Sequence, residues 1–336
     1  MAECDKYILV TGGAGYIGSH CVYASLQNGY ENIVIFDNLS TGHMETVESL
    51  KGCHRGNIRF FEGDLRKQSD LDKLFGEYEF NAVIHFAALS QVGQSMTSPS
   101  EYYHNNVCGT LNLLDAMIKH SVRKIVFSST AATYGEPLYV PIDESHPQNP
   151  INTYGRTKLM IERIMDDYDR AYNLRSVRLR YFNVAGASSD AVIGEWHEPE
   201  THLIPNILKG TSAGEGEVKI FGTDYDTEDG TCVRDYINVE DLADAHILAL
   251  KYLDKGGDTD FFNLGTSNGS SVMDILRTCE AVVKRKIPAE IRERRPGDPA
   301  ALVADSSKAE RVLGWNPKRT LEGSIRSAYE WEKKRH

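Results

Sequence analysis

Short apolar runs alternate with helical stretches through the first half of the chain, and this rhythm constrains the fold more than any other feature. The runs are rich in Val, Ile and Phe and hardly alternate with polar residues, as expected for strands buried on both faces. They lie at residues 7–10, 33–36, 58–61, 82–86, 124–128 and 176–181, with helical stretches clearest at 16–27, 102–120 and 154–172. This order predicts an α/β fold with a Rossmann-type, doubly wound parallel sheet.

The rhythm breaks after residue 182, which predicts a second, smaller lobe. Segment 183–235 is rich in Gly, Pro, Glu and Asp and carries few regular signals. Further elements are expected at residues 239–253, 261–264, 272–283, 306–313 and 321–334. We therefore expect a Rossmann domain over 1–182, joined by segments near 236–265, and an irregular α/β lobe over 183–336.

Charge and cysteine content exclude several classes of function. The formal net charge is -11, which repels phosphate backbones, so we expect no nucleic-acid partner. The six cysteines form no Cys-x-x-Cys pair and are typical of reduced thiols in the cytosol. No apolar run approaches the about 20 residues of a membrane span, and no signal peptide is evident. We expect a cytoplasmic protein with no membrane partner.

A glycine-rich loop, Thr11-Gly12-Gly13-Ala14-Gly15-Tyr16-Ile17-Gly18, follows the first strand. Missing side chains permit a tight turn and let the backbone approach a pyrophosphate. The N-terminus of the next helix offers free N–H groups and a partial positive charge. In this context the loop predicts a dinucleotide site. The expected contacts come from Gly12, Gly15, Tyr16, Ile17 and Gly18.

Two carboxylates fit the same ligand. Asp37 ends the second strand about 20 residues after the loop, where a carboxylate accepts from adenosine ribose hydroxyls. It would repel a 2′-phosphate and has no adjoining Arg, so NAD is predicted rather than NADP. Asp64 follows the third strand and is placed to contact the adenine edge. A purely structural role, such as capping a turn, stays open for both.

Tyr154 and Lys158 open a helix and fall on its apolar stripe, where a lysine is unusual. Residues four apart on a helix are neighbours. An ammonium about 4 Å from a phenolate contributes roughly 4 kcal/mol at an effective dielectric of about 20, or about 3 pKa units. We expect Lys158 to lower the pKa of Tyr154, so that the phenol acts as a base near neutral pH.

These motifs and five further blocks carry a resemblance to a known family. The blocks are Asp37-Asn38-Leu39, His85-Phe86-Ala87-Ala88-Leu89, residues 127–135, residues 180–187 and residues 230–244. Over essentially its whole length the chain resembles the extended short-chain dehydrogenases/reductases and, within them, the UDP-galactose 4-epimerases. The resemblance implies NAD-dependent inversion at C4 of a UDP-hexose by transient oxidation and hydride return, with UDP-galactose and UDP-glucose favoured. It also implies a homodimer built from two helices of each subunit.

The resemblance also implies residue roles. Tyr154 would take the C4 hydroxyl proton, Lys158 would bind the nicotinamide ribose, and Thr130 would bridge the sugar hydroxyl and the phenol. Further cofactor contacts are implied in the first domain for Asn38, Asp64, Leu65, Phe86, Ala87, Ala88, Asn106, Ser128 and Tyr181. UDP-sugar contacts are implied in the smaller lobe for Asn183, His202, Leu203, Phe221, Arg234, Arg295, Asp298 and Leu302. Arg234 and Arg295 would clamp the diphosphate, and Asp298 would bind the uridine ribose.

Departures from the family pattern separate alternative reactions. Related 4,6-dehydratases carry Asp-Glu where this chain has Ala131 and Ala132, and alanine cannot move the proton that elimination needs. Leu302 replaces a bulky Tyr found in some members, which leaves room for an N-acetyl group. Epimerisation of UDP-GlcNAc, UDP-xylose or a UDP-uronate therefore stays open. A non-catalytic NAD-binding regulator is disfavoured because Tyr154 and Lys158 are both present.

A cluster of potential metal ligands is the last feature. His197 and His202 lie among Glu195, Glu198 and Glu200, but their spacing is irregular and they lie in a loop. The reaction implied above needs no metal. The sequence therefore leads us to predict no metal site.

Overall fold

The computed structural model describes residues 6–53, 56–212, 218–294 and 298–335. It divides into two compact units. The first unit comprises Met1–Gly135, Pro147–Arg180 and Ala243–Phe262; the second comprises Glu136–His146, Tyr181–Leu242 and Asn263–His336. Within the described residues, no helix has both the length and the hydropathy needed to cross a membrane.

The strands and helices follow in chain order. The strands are β1 Tyr7–Thr11, β2 Asn32–Asp37, β3 Asn57–Glu62, β4 Phe80–His85, β5 Lys124–Thr130, β6 Arg175–Tyr181, β7 Asn183–Ala185, β8 Val218–Phe221, β9 Val233–Asn238, β10 Asp260–Leu264, β11 Gly269–Ser271, β12 Ala289–Arg292 and β13 Ala301–Leu302. The helices are α1 Tyr16–Gln27, α2 Met44–Cys53, α3 Gln68–Glu77, α4 Val92–Thr97, α5 Pro99–Tyr102, α6 Gly109–Lys119, α7 Thr153–Tyr172, α8 Leu203–Ser212, α9 Val239–Asp254, α10 Val272–Val283, α11 Ser307–Leu313 and α12 Leu321–Arg335.

A seven-stranded sheet forms the centre of the first unit, in the order β10-β6-β5-β4-β1-β2-β3. The pairs β3–β2, β2–β1, β1–β4 and β4–β5 are parallel. The strand order reverses beside β1, which is how a doubly wound sheet places the carboxyl ends of its strands around a ligand crevice. The Rossmann-type α/β fold predicted from the sequence is confirmed.

The helix predicted over 102–120 is not one regular helix. A π-helical segment, Tyr103–Cys108, separates α5 from α6. Single π-helical turns inside α-helices occur mainly at functional sites. The apolar periodicity of α6 predicted a helix. The wider turn of the π-helical segment leaves no comparable pattern in the sequence.

An apolar core lies on one face of this sheet, between its strands and helices α3, α6 and α7. Its fully buried members include Leu9, Val34, Phe36, Val83, Leu113, Phe127, Ile161 and Met165. The helix α7 contributes the apolar stripe predicted from its sequence, and Ile161 and Met165 lie in the core. This packing fixes the rotation of α7 and hence the direction of its other side chains.

The second unit is more regular than its sequence suggested. Segment 183–235 contains β7, α8, β8 and the start of β9. Strand β9 pairs with β7, β11 and β13, while β8 pairs with β12. A separate core is formed by side chains from α8, β8, α10 and α12, including Ile204, Ile207, Ile220, Ile275 and Ile325.

Candidate active site

The glycine loop makes a turn that only glycine fits. Gly12 has φ +72, and a Cβ there would lie 2.6 Å from the Ala87 nitrogen. A Cβ at Gly18 would lie 2.1 Å from the Gly12 carbonyl oxygen. Helix α1 then begins at Tyr16 with no side-chain cap and no acidic residue in its first turn. Uncapped N–H groups beside a bare backbone fit a pyrophosphate, so this loop fits a dinucleotide cofactor.

The two predicted carboxylates lie at the ends of neighbouring strands. Asp37 ends β2 and accepts the N–H groups of Ala14 at 3.0 Å and Leu39 at 2.9 Å. Burial raises its pKa. Asp64 is instead held by Arg66, whose Nε lies 2.9 Å from Asp64 Oδ1, and this contact lowers the pKa of Asp64 to about 2.

The end of β4 is fixed by a buried imidazole. His85 Nδ1 lies 2.6 Å from the Thr11 hydroxyl, and His85 Nε2 lies 2.9 Å from the Thr110 hydroxyl. Burial lowers the pKa of His85 to about 3, so the ring is neutral and structural. The next two residues, Phe86 and Ala87, both donate their N–H to the Thr11 carbonyl, which shapes the wall of the glycine loop.

Asn106 lies in the π-helical segment and is fully buried. Its side chain accepts the Leu89 N–H at 2.8 Å and donates to the Leu89 carbonyl at 3.0 Å. It also donates to the Thr157 hydroxyl on α7 at 3.2 Å. Asn106 therefore ties the segment after β4 to the helix that carries Tyr154 and Lys158.

Tyr154, Lys158 and Thr130 are brought together by β5 and α7. The Lys158 Nζ donates to the Ser128 carbonyl at 2.7 Å and lies 5.8 Å from the centroid of the Tyr154 ring. The Thr130 hydroxyl is hydrogen-bonded to the Tyr154 phenol. A phenol beside a hydroxyl and an amine can pass a proton to or from a bound alcohol.

The expected lowering of the Tyr154 pKa is wrong. Burial raises the pKa of Tyr154 to about 12, against the opposing effect of the Thr130 hydroxyl. Burial also lowers the pKa of Lys158 to about 7, so its charge is only partly present near neutral pH. A lowered pKa would require a full charge about 4 Å from the phenol oxygen, whereas desolvation disfavours the charged forms of both groups.

The low pKa of Lys158 makes stability depend on pH. An unfolded lysine titrates at its usual 10.5, whereas the folded one titrates at about 7. Between these values the unfolded chain binds one more proton, so stability rises with pH. As the pH rises from about 7 to about 10, we expect the free energy of unfolding of Lys158→Met to decrease relative to that of the wild type. Urea unfolding of both proteins measures this difference, and a constant difference would contradict the assignment.

A buried ion pair between Glu162 and Arg180 lies next to Lys158 on α7 and holds the helix that carries Tyr154. It was not expected from the sequence. Glu162 lies one helical turn after Lys158 and accepts from Arg180 Nε at 3.0 Å and Arg180 Nη2 at 2.6 Å. The Ser129 hydroxyl donates to the same carboxylate at 2.5 Å. Arg180 lowers the pKa of Glu162 despite its burial. The sequence signal for Glu162 was its spacing, because Tyr154, Lys158 and Glu162 follow one another at intervals of four residues and so share one face of the helix.

Three predicted substrate residues come together in the second unit. Arg234 Nη2 donates to the Asp298 carboxylate, and Arg234 Nη1 donates to the Val233 carbonyl at 2.7 Å. Leu302 on β13 lies opposite Arg234 on β9. Arg295, the second predicted clamp, lies outside the described residues. A buried arginine with five N–H donors keeps some of them for a ligand.

The other predicted substrate residues are dispersed along the second unit. Asn183 begins β7 and is exposed, Leu203 is the first residue of α8, and Phe221 ends β8. His202 is hydrogen-bonded through Nδ1 to the buried carboxylate of Glu195, which raises the pKa of His202 against the effect of burial. The remaining predicted cofactor residues lie in or beside the sheet: Asn38 follows β2, Ala88 follows β4, Leu65 follows β3, and the buried Tyr181 ends β6.

Comparisons with known proteins show the family to which the chain belongs. The family model described as GDP-mannose 4,6 dehydratase matches residues 9–328. The chain is 50% identical over 327 residues to UDP-glucose 4-epimerase of Halalkalibacterium halodurans, covering 97% of this chain and 95% of that protein.

Two solved structures are similar over nearly all of the chain. UDP-glucose 4-epimerase from Brucella ovis in complex with NAD has a TM-score of 0.91 and 45% identity, covering 97% of this chain and 98% of that one. The UDP-Glc/GlcNAc 4-epimerase from Campylobacter jejuni has a TM-score of 0.84 and 42% identity, covering 98% and 99%. The chain belongs to the UDP-glucose 4-epimerase family, within the larger family described by the GDP-mannose 4,6 dehydratase model.

Proposed function

We propose that this protein interconverts UDP-galactose and UDP-glucose by inverting C4 of the hexose, with NAD as a bound cofactor. The observation that carries the proposal is the arrangement of Tyr154 with the buried Lys158 and Thr130, in the same unit as a loop that fits a dinucleotide. The first unit would hold NAD and move the proton. The second unit would bind the UDP-sugar.

Each side chain has a definite task in this reaction. When bound at the glycine loop, NAD+ would supply the acceptor and returning donor of the C4 hydride and a positive charge that would favour the Tyr154 phenolate. Tyr154 takes the proton of the C4 hydroxyl and gives it back after the sugar has turned. Thr130 orients that hydroxyl, and Lys158, anchored on the Ser128 carbonyl, orients the cofactor ribose. Arg234 holds the diphosphate so that only the hexose turns.

Elimination of water, the reaction named in the matching family model, is disfavoured by the residues after Thr130. Ala131 and Ala132 form the 3-10 turn Ala131–Thr133 there, and neither carries a titratable group. A 4,6-dehydratase needs an additional acid and base to remove water from C6. Hydride removal and return at C4 needs neither.

The reaction is tested by incubating the full-length protein with UDP-galactose and following UDP-glucose by NMR. Conversion without added NAD+ supports both the reaction and a retained cofactor. Conversion only after NAD+ is added supports the reaction but shows that the purified protein does not retain its cofactor. Absence of C4 inversion with NAD+ present would reject the proposal.

Leu302 is proposed to decide whether an N-acetyl group is accepted. The relative from Campylobacter jejuni is named for both UDP-Glc and UDP-GlcNAc. We expect the wild type to convert UDP-GlcNAc and Leu302→Tyr to lose at least about 10-fold in kcat/KM for it, while retaining UDP-galactose turnover. Parallel assays with the two substrates measure the ratio. An equal loss for both substrates would reject a specificity role.

The homodimer and the cytoplasmic location stay predictions. Helix α7 presents the half-exposed Met160 and Tyr172, which fits pairing of helices from two subunits. Light scattering of the purified protein distinguishes a dimer from a monomer.

A further inference from the structure

Four potential metal ligands converge in the second unit, in the loop that precedes α8. Glu195, His197, Glu200 and His202 each bring one nitrogen or oxygen to a common point, and these atoms all lie within 4.8 Å of one another. The chemical steps proposed above use none of these four side chains, although His202 is also a predicted contact of the UDP-sugar. Its sequence spacing, Glu-x-His-x-x-Glu-x-His, is short enough for one loop to supply every ligand.

The loop is held in place by contacts outside the cluster. Trp331 on α12 donates from Nε1 to the Glu195 carbonyl at 3.4 Å. A Cβ at Gly194 would lie 2.3 Å from the Trp331 ring, so the two segments are in close contact. Lys209 on α8 donates to the His197 carbonyl at 3.4 Å. Two helices therefore hold the part of the loop that carries Glu195 and His197 before any ion binds.

The two carboxylates of the cluster are buried. Each has a side chain that is 4% exposed. The Glu195 carboxylate faces the Nδ1 atoms of both histidines, at 3.4 Å for His197. Burying a carboxylate is costly unless a cation compensates its charge. The carboxylates raise the pKa of His202, and that of His197 to about 9, against the effect of burial, so a metal ion would take the place of the imidazole protons.

Glu200 gives an independent indication. Its Oε1 accepts the backbone N–H groups of Thr201 at 2.8 Å and His202 at 2.9 Å. Its Oε2 is buried and accepts no hydrogen bond from the residues described, with Lys209 Nζ at 3.6 Å. A buried carboxylate oxygen of this kind, beside three other ligand atoms, is available to a cation.

The donor set identifies the class of ion. Two imidazole nitrogens with two carboxylate oxygens suit Zn²⁺ and similar divalent transition metals, whereas Mg²⁺ and Ca²⁺ prefer oxygen alone. Ligand atoms around tetrahedral Zn²⁺ lie about 3.4 Å apart. Atoms up to 4.8 Å apart therefore need to approach one another by up to about 1.4 Å. His202 is 55% exposed and leaves a path from solvent.

We propose that Glu195, His197, Glu200 and His202 bind one Zn²⁺-class divalent ion, which fastens the loop to α8. The metal site does not depend on the proposed reaction, and it shares only His202 with the predicted UDP-sugar contacts. It also replaces the expectation of no metal, which rested on the irregular spacing of these residues, their place in a loop and a reaction that needs no metal. Irregular spacing along a loop says little about distance once the loop is folded.

Metal content of the full-length protein tests the site. Protein treated with a chelator, then dialysed against Zn²⁺, is expected to retain one Zn²⁺ per chain by elemental analysis. The double variant His197→Gln with His202→Gln is expected to bind no Zn²⁺. His202→Gln alone is expected to weaken Zn²⁺ binding by more than about 100-fold, the largest effect usual for residues that contact a metal ligand but not the metal. His120→Gln, at an exposed histidine after α6, is the matched control and should keep the ion.

A second readout avoids dependence on one variant. Co²⁺ in place of Zn²⁺ should give the visible absorption of a four- or five-coordinate site in the wild type and in His120→Gln, but not in His202→Gln. Because His202 is mostly exposed, this variant should fold even if the double variant does not. Equal Zn²⁺ content and equal Co²⁺ spectra for the wild type and His202→Gln would overturn the proposal.

Discussion

Replacing Tyr154 with Phe is expected to reduce kcat for UDP-galactose epimerisation by about 10²–10⁴-fold, the contribution typical of a positioned general base. The substitution removes one hydroxyl and leaves the ring beside Lys158 and Thr130 in place. KM should change little, because in the proposed reaction the phenol acts on the reacting proton and not on the nucleotide. The measurement is steady-state conversion followed by NMR or by a coupled assay.

Tyr172→Phe is the matched control for that prediction. It makes the same change at the end of the same helix, where the side chain is 50% exposed. Its kcat should equal that of the wild type. Wild-type kcat in Tyr154→Phe would remove Tyr154 from the chemistry and favour a different base.

Replacing Glu162 with Gln is expected to destabilise the protein by about 3–5 kcal/mol, because it leaves the buried Arg180 guanidinium without its counter-charge. Both side chains are 3% exposed and are joined by two hydrogen bonds. The amide retains the size of the carboxylate, so the loss reports charge and hydrogen bonding more than packing. Urea unfolding gives the change in the free energy of unfolding.

The control for Glu162 is the same substitution at a surface pair. Glu322 contacts Arg326 at 2.5 Å one turn along α12, with both side chains more than half exposed. Surface pairs contribute about 0–1 kcal/mol, so Glu322→Gln should have a small effect. Similar losses for both variants would mean that the Glu162 pair is screened by solvent and is not a buried support of α7.

The sequence predicted those features that depend on local periodicity. Unalternating apolar runs predicted β1 to β6 within one or two residues, because strands buried on both faces have no polar side. The stripe of α7 predicted which face of that helix is buried, and so placed Tyr154 and Lys158 together. The glycine spacing predicted the turn at Gly12, where φ is positive and Ala87 leaves no room for a side chain.

The features that were missed depend on contacts between distant segments. The raised pKa of Tyr154 follows from burial, which outweighs the nearby amine and has no local sequence signal. Glu162 pairs with Arg180 from a different element, so neither residue alone reveals the pair. The convergence of Glu195 and His202 likewise appears only once their loop is folded against Trp331.

The most direct test of the central claim uses UDP-galactose with deuterium at C4. Removal and return of the hydride within the site predicts UDP-glucose that retains the deuterium at C4, with no exchange into solvent during turnover. Loss of the label to water would contradict the account, because it requires a proton, rather than a hydride, to leave C4.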